Sequence, residues 1–417
     1  MLLLLLNKKE NNMETSQRQT YLDWLRILSI AGVLILHSAM PYAEGEIWHI
    51  RDKETSTLLL YTVGFLHLFR MPLLFFISGT VSYYMMQRRS ALSFIKLRFT
   101  RLFIPLLVGI FIIVPPQIYM ERLAHGFTGN YWDFYKTVFE FVPYPQGGSF
   151  SWHHLWFIAY LFIYDLVFAP FFMWMISDKS KGVKQALHRL SKGKLVYLLA
   201  IPSIIWYALL SKKLPETADL VHDGCYFVYW LFFVLAGFIC ILVPSLMDSL
   251  QRNRRFAIGV GFVFLLMNYY VWLNDARLPM IPESIWPFFS VAMRPVIAWG
   301  WMLGFIGYGK QYLNRPHRSL NYLNQAVYPF YILHQTVIVI LAYYITKAAG
   351  DTVIMKYIYT VGVTLFITMG IYHLFIKPYP VIGFLFGMKP VTAAKKKAAQ
   401  EPARIMIMKE QLTEATA

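Results

Sequence analysis

Ten runs of predominantly apolar residues follow one another along the chain, at roughly 21–41, 57–86, 102–120, 154–177, 195–211, 225–247, 256–274, 288–308, 323–346 and 355–376. A bilayer core of ~30 Å is crossed by ~20 apolar helical residues, and each run is near that length. The chain therefore reads as an all-α integral membrane protein, a polytopic bundle of about ten transmembrane helices. Composition agrees: of 417 residues 57% are hydrophobic and only 15% are charged, with a mean hydropathy of +0.47, far more apolar than a soluble domain of this length.

The formal net charge of +17 does not point to nucleic acid, because the cations lie between apolar spans and not on one soluble surface. They orient the chain instead. With the amino terminus in the cytoplasm, 27 of the 39 Lys and Arg residues fall on the inner side and 8 on the outer, leaving Arg26, Arg70, Arg294 and Lys356 within spans. This is the positive-inside bias, and acids mirror it, with 13 of 22 in outer segments. Both termini are then cytoplasmic, and an odd number of spans would break the pattern, so the 17-residue fifth run counts as a span. Residues 1–20 read as a disordered cytoplasmic start, since "MLLLLLNKKE" places its apolar run before its lysines, the reverse of a secretory signal, and is too short to span. Residues 21–376 form one membrane domain. Residues 377–417, with "AAKKKAAQEPAR", form a basic cytoplasmic tail. Cys225 and Cys240 lie in or beside an apolar run, so neither a disulfide framework nor a thiolate metal site is expected, and no metal is assigned.

Ionisable groups inside spans mark function by default, because they are costly there. In "YLDWLRILSIAGVLILHSAMP" Asp23 and Arg26 are one turn apart and can pair near the cytoplasmic end. His37, eleven residues beyond Arg26, returns to within ~20° of its direction and ~16 Å further along the axis. Residues 23, 26, 30, 33 and 37 thus share a face that should line a protein interior or cavity. "GFLHLFRMPLLFFISGT" interrupts the second span with His67 and Arg70 one turn apart, followed by Pro72, which frees a backbone carbonyl. "SWHHLWFIAYLFIYD" opens the fourth with His153 and His154 and holds Asp165 deeper; the ninth carries Tyr328, Tyr331, His334 and Gln335 as a polar stripe. Snorkelling, a structural ion pair or an interhelical hydrogen-bond seam would account for each of these alone. Three intramembrane arginines against two acids together favour an anionic ligand.

Arg26, ten residues and then His37 resembles the signature of the membrane acyltransferase-3 family. "FLHLFRMPLLFFISG", "RFTRLFIP", "HLWFIAYLFIYD" and "VYPFYILHQTVIVI" are similar, in order, to further segments of that family, so the resemblance covers about residues 20–375. The forms are most like the branch that includes periplasmic glucan succinyltransferases, as a stand-alone member. The resemblance implies transfer of an acyl group, acetyl or succinyl, from cytoplasmic acyl-CoA to a hydroxyl of an outer-face carbohydrate, in the bacterial inner membrane, with no permanently bound cofactor. Arg26, Arg98, Arg101 and Arg70 would meet the donor's phosphates, with Asp23 beside Arg26. His37 would act as general base or as an acyl-carrying nucleophile. Arg70 and His334 would stabilise the oxyanion, and His153, Tyr331 and His67 would serve the acceptor side. Trp48, Trp132, Trp152 and Trp156 around the outer loops would stack on sugar rings or belong to an interfacial belt. A transporter with an anionic substrate and a non-catalytic membrane sensor are the rival readings; no matched pair of broken helices favours the first.

Overall fold

The computed structural model describes residues 19–87, 89–348 and 351–388. The expected disordered start and most of the basic tail lie outside the described residues; within the tail's first residues, Pro380–Leu385 forms a short helix. Among the described residues nine helices are long and apolar enough to cross a membrane, and a tenth, shorter apolar stretch covers Leu195–Leu210. In chain order the apolar helical elements are α1 (Thr20–Ala39), α2 (Thr57–Met86), α3 (Ala91–Ala124), α4 (Trp156–Ile176), α5 (Ile201–Leu210), α6 (Gly224–Leu242), α7 (Pro244–Asn274), α8 (Trp286–Tyr312), α9 (Leu320–Ile345) and α10 (Val353–Ile371). Nine of the ten expected runs thus appear, in order, as helices of spanning length, and the fifth is shorter, ten α-helical residues preceded by the 3-10 turn Leu195–Ala200. Pro72 does not interrupt the second span: α2 stays helical through it.

α3 is not a uniform helix, and its prolines say why. A proline lacks a donor and its ring crowds the carbonyl four residues back. Each of Pro105 and Pro115 is preceded by a π-turn, Phe99–Phe103 and Gly109–Ile113, in which the backbone widens to i→i+5 bonding; Val114 N–H donates to Gly109 O at 2.8 Å. The carbonyls released near Pro115 find side-chain donors. Tyr135 Oη donates to Phe111 O at 2.9 Å, and Thr336 Oγ1 to Ile113 O at 2.7 Å. Both carbonyls are thus satisfied within the protein, as hydrocarbon requires.

The chain forms two compact units. The first comprises the chain to Ala39, Thr57–Ala91 and Val167–Val327; the second comprises Met40–Ser56, Leu92–Leu166 and Tyr328 onward. In the first unit, α2 and α6 meet backbone to backbone. A Cβ on Gly79 would stand 1.9 Å from Val234 O, and one on Gly237 would stand 1.9 Å from Phe76 O. Only hydrogen fits at either place, which is how small residues let membrane helices touch without a hydrophobic drive. Aromatic packing extends this contact: Phe172 stacks on Phe238 at 4.4 Å and Phe233 on Trp299 at 4.7 Å, and Trp299 Nε1 donates to Ser203 Oγ at 2.6 Å. In the second unit a buried ion pair, Lys356 Nζ to Asp52 Oδ2 at 2.9 Å, ties α10 to the connection after α1, and Tyr42 Oη lies 2.9 Å from Thr360 Oγ1 beside it.

Candidate active site

In the first unit α1 presents the face the spacing predicts. Ile30 and Val33 are buried, Arg26 and His37 are half-buried, and the exposed positions Leu28, Ala31 and Ile35 project from the opposite side of the helix. The stripe therefore faces protein. Arg26 Nη2 reaches Asp23 Oδ1 at 3.4 Å, and Asn324, on the first turns of α9, donates to the same oxygen at 2.8 Å. Asn324 is a functional candidate the sequence did not yield: "NYLNQAVYPF" reads as the polar head of a span, and nothing local ties it to residue 23.

Arg70 in the same unit is 6% exposed, a cation removed from solvent. It shares its surroundings with His67, which feels the charges of both Arg70 and Arg294. Arg294 in turn pairs with Glu216 at 3.6 Å and lies 5.9 Å from the Tyr226 ring. Burial pushes the Glu216 carboxyl up from the usual carboxylate range, with Arg294 pulling it the other way. Glu216 comes from the connection "KKLPETADLVHDG" between α5 and α6, a second partner that only the fold reveals.

The second unit gathers a histidine cluster. His334 and His154 are buried with their rings edge to face at 5.2 Å; His154 Nε2 lies 3.0 Å from Ile332 O, and His334 Nδ1 lies 2.6 Å from Tyr331 O. Tyr331 donates its hydroxyl to His154 O, so this tyrosine fixes the histidine loop. Gln117 and Gln335 continue the network: Gln335 Nε2 donates to Gln117 Oε1 at 3.2 Å, and Gln117 Nε2 to Thr336 Oγ1 at 2.8 Å. Nearby, His49 pairs with Glu121, and His153 stacks on His49 at 4.8 Å. Tyr144 donates to Glu121 Oε1 at 2.8 Å, and burial together with that carboxylate pushes the Tyr144 hydroxyl well above its usual range.

In the first part of α3 in the same unit, Arg98 forms a buried ion pair with Asp165, the two 5% and 1% exposed. The deep acid of the fourth span is thus spoken for by the inner-loop arginine. Arg101, in the π-turn that follows, shares that stretch of α3.

An all-helical multi-pass membrane protein with arginine, histidine and acid groups at depth defines a class, the membrane enzymes and transporters that handle charged substrates in protein-lined interiors. Comparison with known proteins decides within it. The family described as an acyltransferase domain matches residues 19–392, nearly the whole chain, and the chain belongs to that acyltransferase family. It is similar to the glucans biosynthesis protein C of Shigella dysenteriae serotype 1, 24% identical over 416 residues, covering 93% of this chain and 99% of that protein. Proteins of the same description from two Escherichia coli strains are 24% and 23% identical over 419 residues, with the same coverage. No solved structure matches the chain. The chain is a multi-pass membrane acyltransferase, and the transporter and sensor readings fall away.

Proposed function

We propose that the chain moves an acyl group, acetyl or succinyl, from cytoplasmic acyl-CoA to a hydroxyl of a carbohydrate at the outer face of the bacterial inner membrane. The observation that carries the reading is α1 itself. One protein-facing stripe holds a guanidinium near the cytoplasmic end and an imidazole near the other, ~16 Å apart along the axis, which suits a phosphate-bearing donor with a long thioester arm. The names of the relatives, glucans biosynthesis proteins, support a glycan acceptor.

In this reading Arg26, paired with Asp23, which Asn324 anchors in turn, meets the donor's phosphates through charge-assisted hydrogen bonds. Because Asp165 engages Arg98, Arg101 takes the larger share of the inner-loop role, and Arg98 positions that segment. Arg70 supplies further positive charge. His37 takes the proton from the acceptor hydroxyl as its oxygen attacks the thioester carbonyl. The tetrahedral oxyanion then collapses, the ester forms, and the CoA thiolate leaves with the proton returned by the imidazolium. Arg70, His67 and His334 offer donors to the oxyanion or acceptor, while His153 and Tyr331 line the acceptor side.

The test is mass spectrometry of envelope glycans from cells with and without the gene, and from cells carrying His37→Asn. Acyl mass increments on a glycan should depend on the protein and disappear in the variant while membrane levels of the protein hold. Unchanged increments in the His37→Asn strain would contradict the role given to His37.

A further inference from the structure

We propose that His49, Glu121 and His153 form a binding site for a divalent transition-metal ion, zinc being the best match. The three residues come from three separate segments of the second unit: the connection after α1, the end of α3, and the single 3-10 turn leading into α4. Their donor atoms, two imidazole nitrogens and a carboxylate oxygen, all lie within 4.8 Å of one another. Convergence from sequence positions so far apart is a product of tertiary structure, not of a local acidic or basic run. Two histidines and one glutamate are a donor set that zinc takes in sites that keep a fourth position open.

The surroundings of the three groups strengthen the assignment. His153 Nδ1 lies 2.7 Å from Ser151 Oγ, which fixes the ring, while its Nε2 is buried and has no hydrogen-bond partner. A buried ring nitrogen in that condition costs free energy unless something binds it. The His153 and His49 rings are parallel within 4°, centroids 4.8 Å apart, so modest rotations turn one nitrogen of each toward a common point. Glu121 accepts from Tyr144 Oη through both oxygens, at 2.8 and 3.0 Å, and His49 Nε2 lies 3.3 Å from Gln335 Nε2. Outer groups that orient each ligand in this way are the usual companions of a metal centre. His49 side-chain exposure is 9% and that of Glu121 18%, enclosed but reachable.

The ion requires nitrogen and oxygen donors at ~2.0 to 2.2 Å, so loading parts the hydrogen-bonded His49 and Glu121 and draws the more distant donors in, each by roughly 1 Å. A ring nitrogen that binds the ion carries no proton, so the single proton of neutral His49 resides on its other nitrogen in the loaded site. The fourth position would hold water or, on the acyltransferase reading above, an acceptor hydroxyl. The site itself does not depend on that reading.

The test uses the full chain without a polyhistidine tag, purified in detergent, stripped with chelator, equilibrated with Zn2+ and desalted before elemental analysis. About one zinc per chain is expected in the parent, with affinity lowered on the order of 10- to 100-fold or more in Glu121→Gln and His153→Gln. Substitution of exposed His125 by Ala should leave uptake unchanged. Co2+ added to the parent should give the absorption of a tetrahedral site, absent from the Glu121→Gln/His153→Gln double variant, with both proteins eluting as monodisperse species. No uptake by the parent, or equal uptake by the double variant, overturns the proposal. Because no acyl donor enters this assay, its failure is distinct from failure of the transfer reaction.

Discussion

Asp165→Asn is the perturbation that most cleanly separates a structural arginine from a donor-binding one. The Arg98 and Asp165 side chains are 6% and 2% exposed and directly paired. Two unit charges ~4 Å apart at an effective dielectric near 20 attract by about 4 kcal/mol, and removing one member of a buried pair costs about 3–5 kcal/mol because the other is left uncompensated. Asparagine keeps the shape and one acceptor oxygen, so the expected loss is near 3 kcal/mol. A chain of this size shifts by about 2 °C per kcal/mol, which places the drop in melting temperature on the order of 5 °C or more. The assay is thermal unfolding of the detergent-solubilised parent, Asp165→Asn, Arg98→Met and the Arg98→Met/Asp165→Leu double variant. The double variant should recover most of the loss, since an apolar pair leaves no stranded charge. A single variant that melts within about 1 °C of the parent, less than ~1 kcal/mol, would refute the structural role of the pair and return Arg98 to the donor phosphates.

The remaining expectations concern other joints of the molecule. Asn324→Ala removes the second donor on Asp23 and loosens Arg26; a lost hydrogen bond to a charged group is worth about 1.5–3 kcal/mol, so the KM for acyl-CoA should rise on the order of 10-fold or more with kcat changed less. Gly237→Val drives a side chain into the Phe76 carbonyl, and because the obstacle is backbone, folded protein should not accumulate in the membrane, as checked by fluorescence size-exclusion chromatography. Lys356→Met strands the buried Asp52 carboxylate and should cost about 3–5 kcal/mol, recovered in large part by adding Asp52→Leu; thermal unfolding of the two proteins reads this.

What the sequence made legible was whatever depends on periodicity and composition. The helical spans follow from apolar run length, and the buried-side stripe of α1 follows from 3,4 spacing alone. Partnerships across the fold were not legible. Nothing in "IWHIR" announces that His49 meets Glu121 and His153, nor in "LPETADL" that Glu216 reaches Arg294, because such pairs are set by how helices pack and not by local pattern. Asp165 shows the intermediate case. Its depth was evident from its place in the fourth span, yet its partner, Arg98, reads from sequence as one of a pair of inner-loop phosphate ligands. Pro72 shows a local rule overridden, since neighbouring packing holds α2 helical through a residue that interrupts isolated helices.

The central claim is that acyl-CoA enters from the cytoplasm and that Arg26 and His37, on one face of α1, divide binding from chemistry. Inside-out vesicles carrying the parent, Arg26→Ala or His37→Asn, loaded with acceptor glycan and given labelled acyl-CoA from outside, measure this directly. The account predicts label on glycan in the lumen for the parent, weakened donor binding for Arg26→Ala, and intact donor binding without transfer for His37→Asn. Tight donor binding by Arg26→Ala, or transfer by His37→Asn at the parental rate, would contradict it.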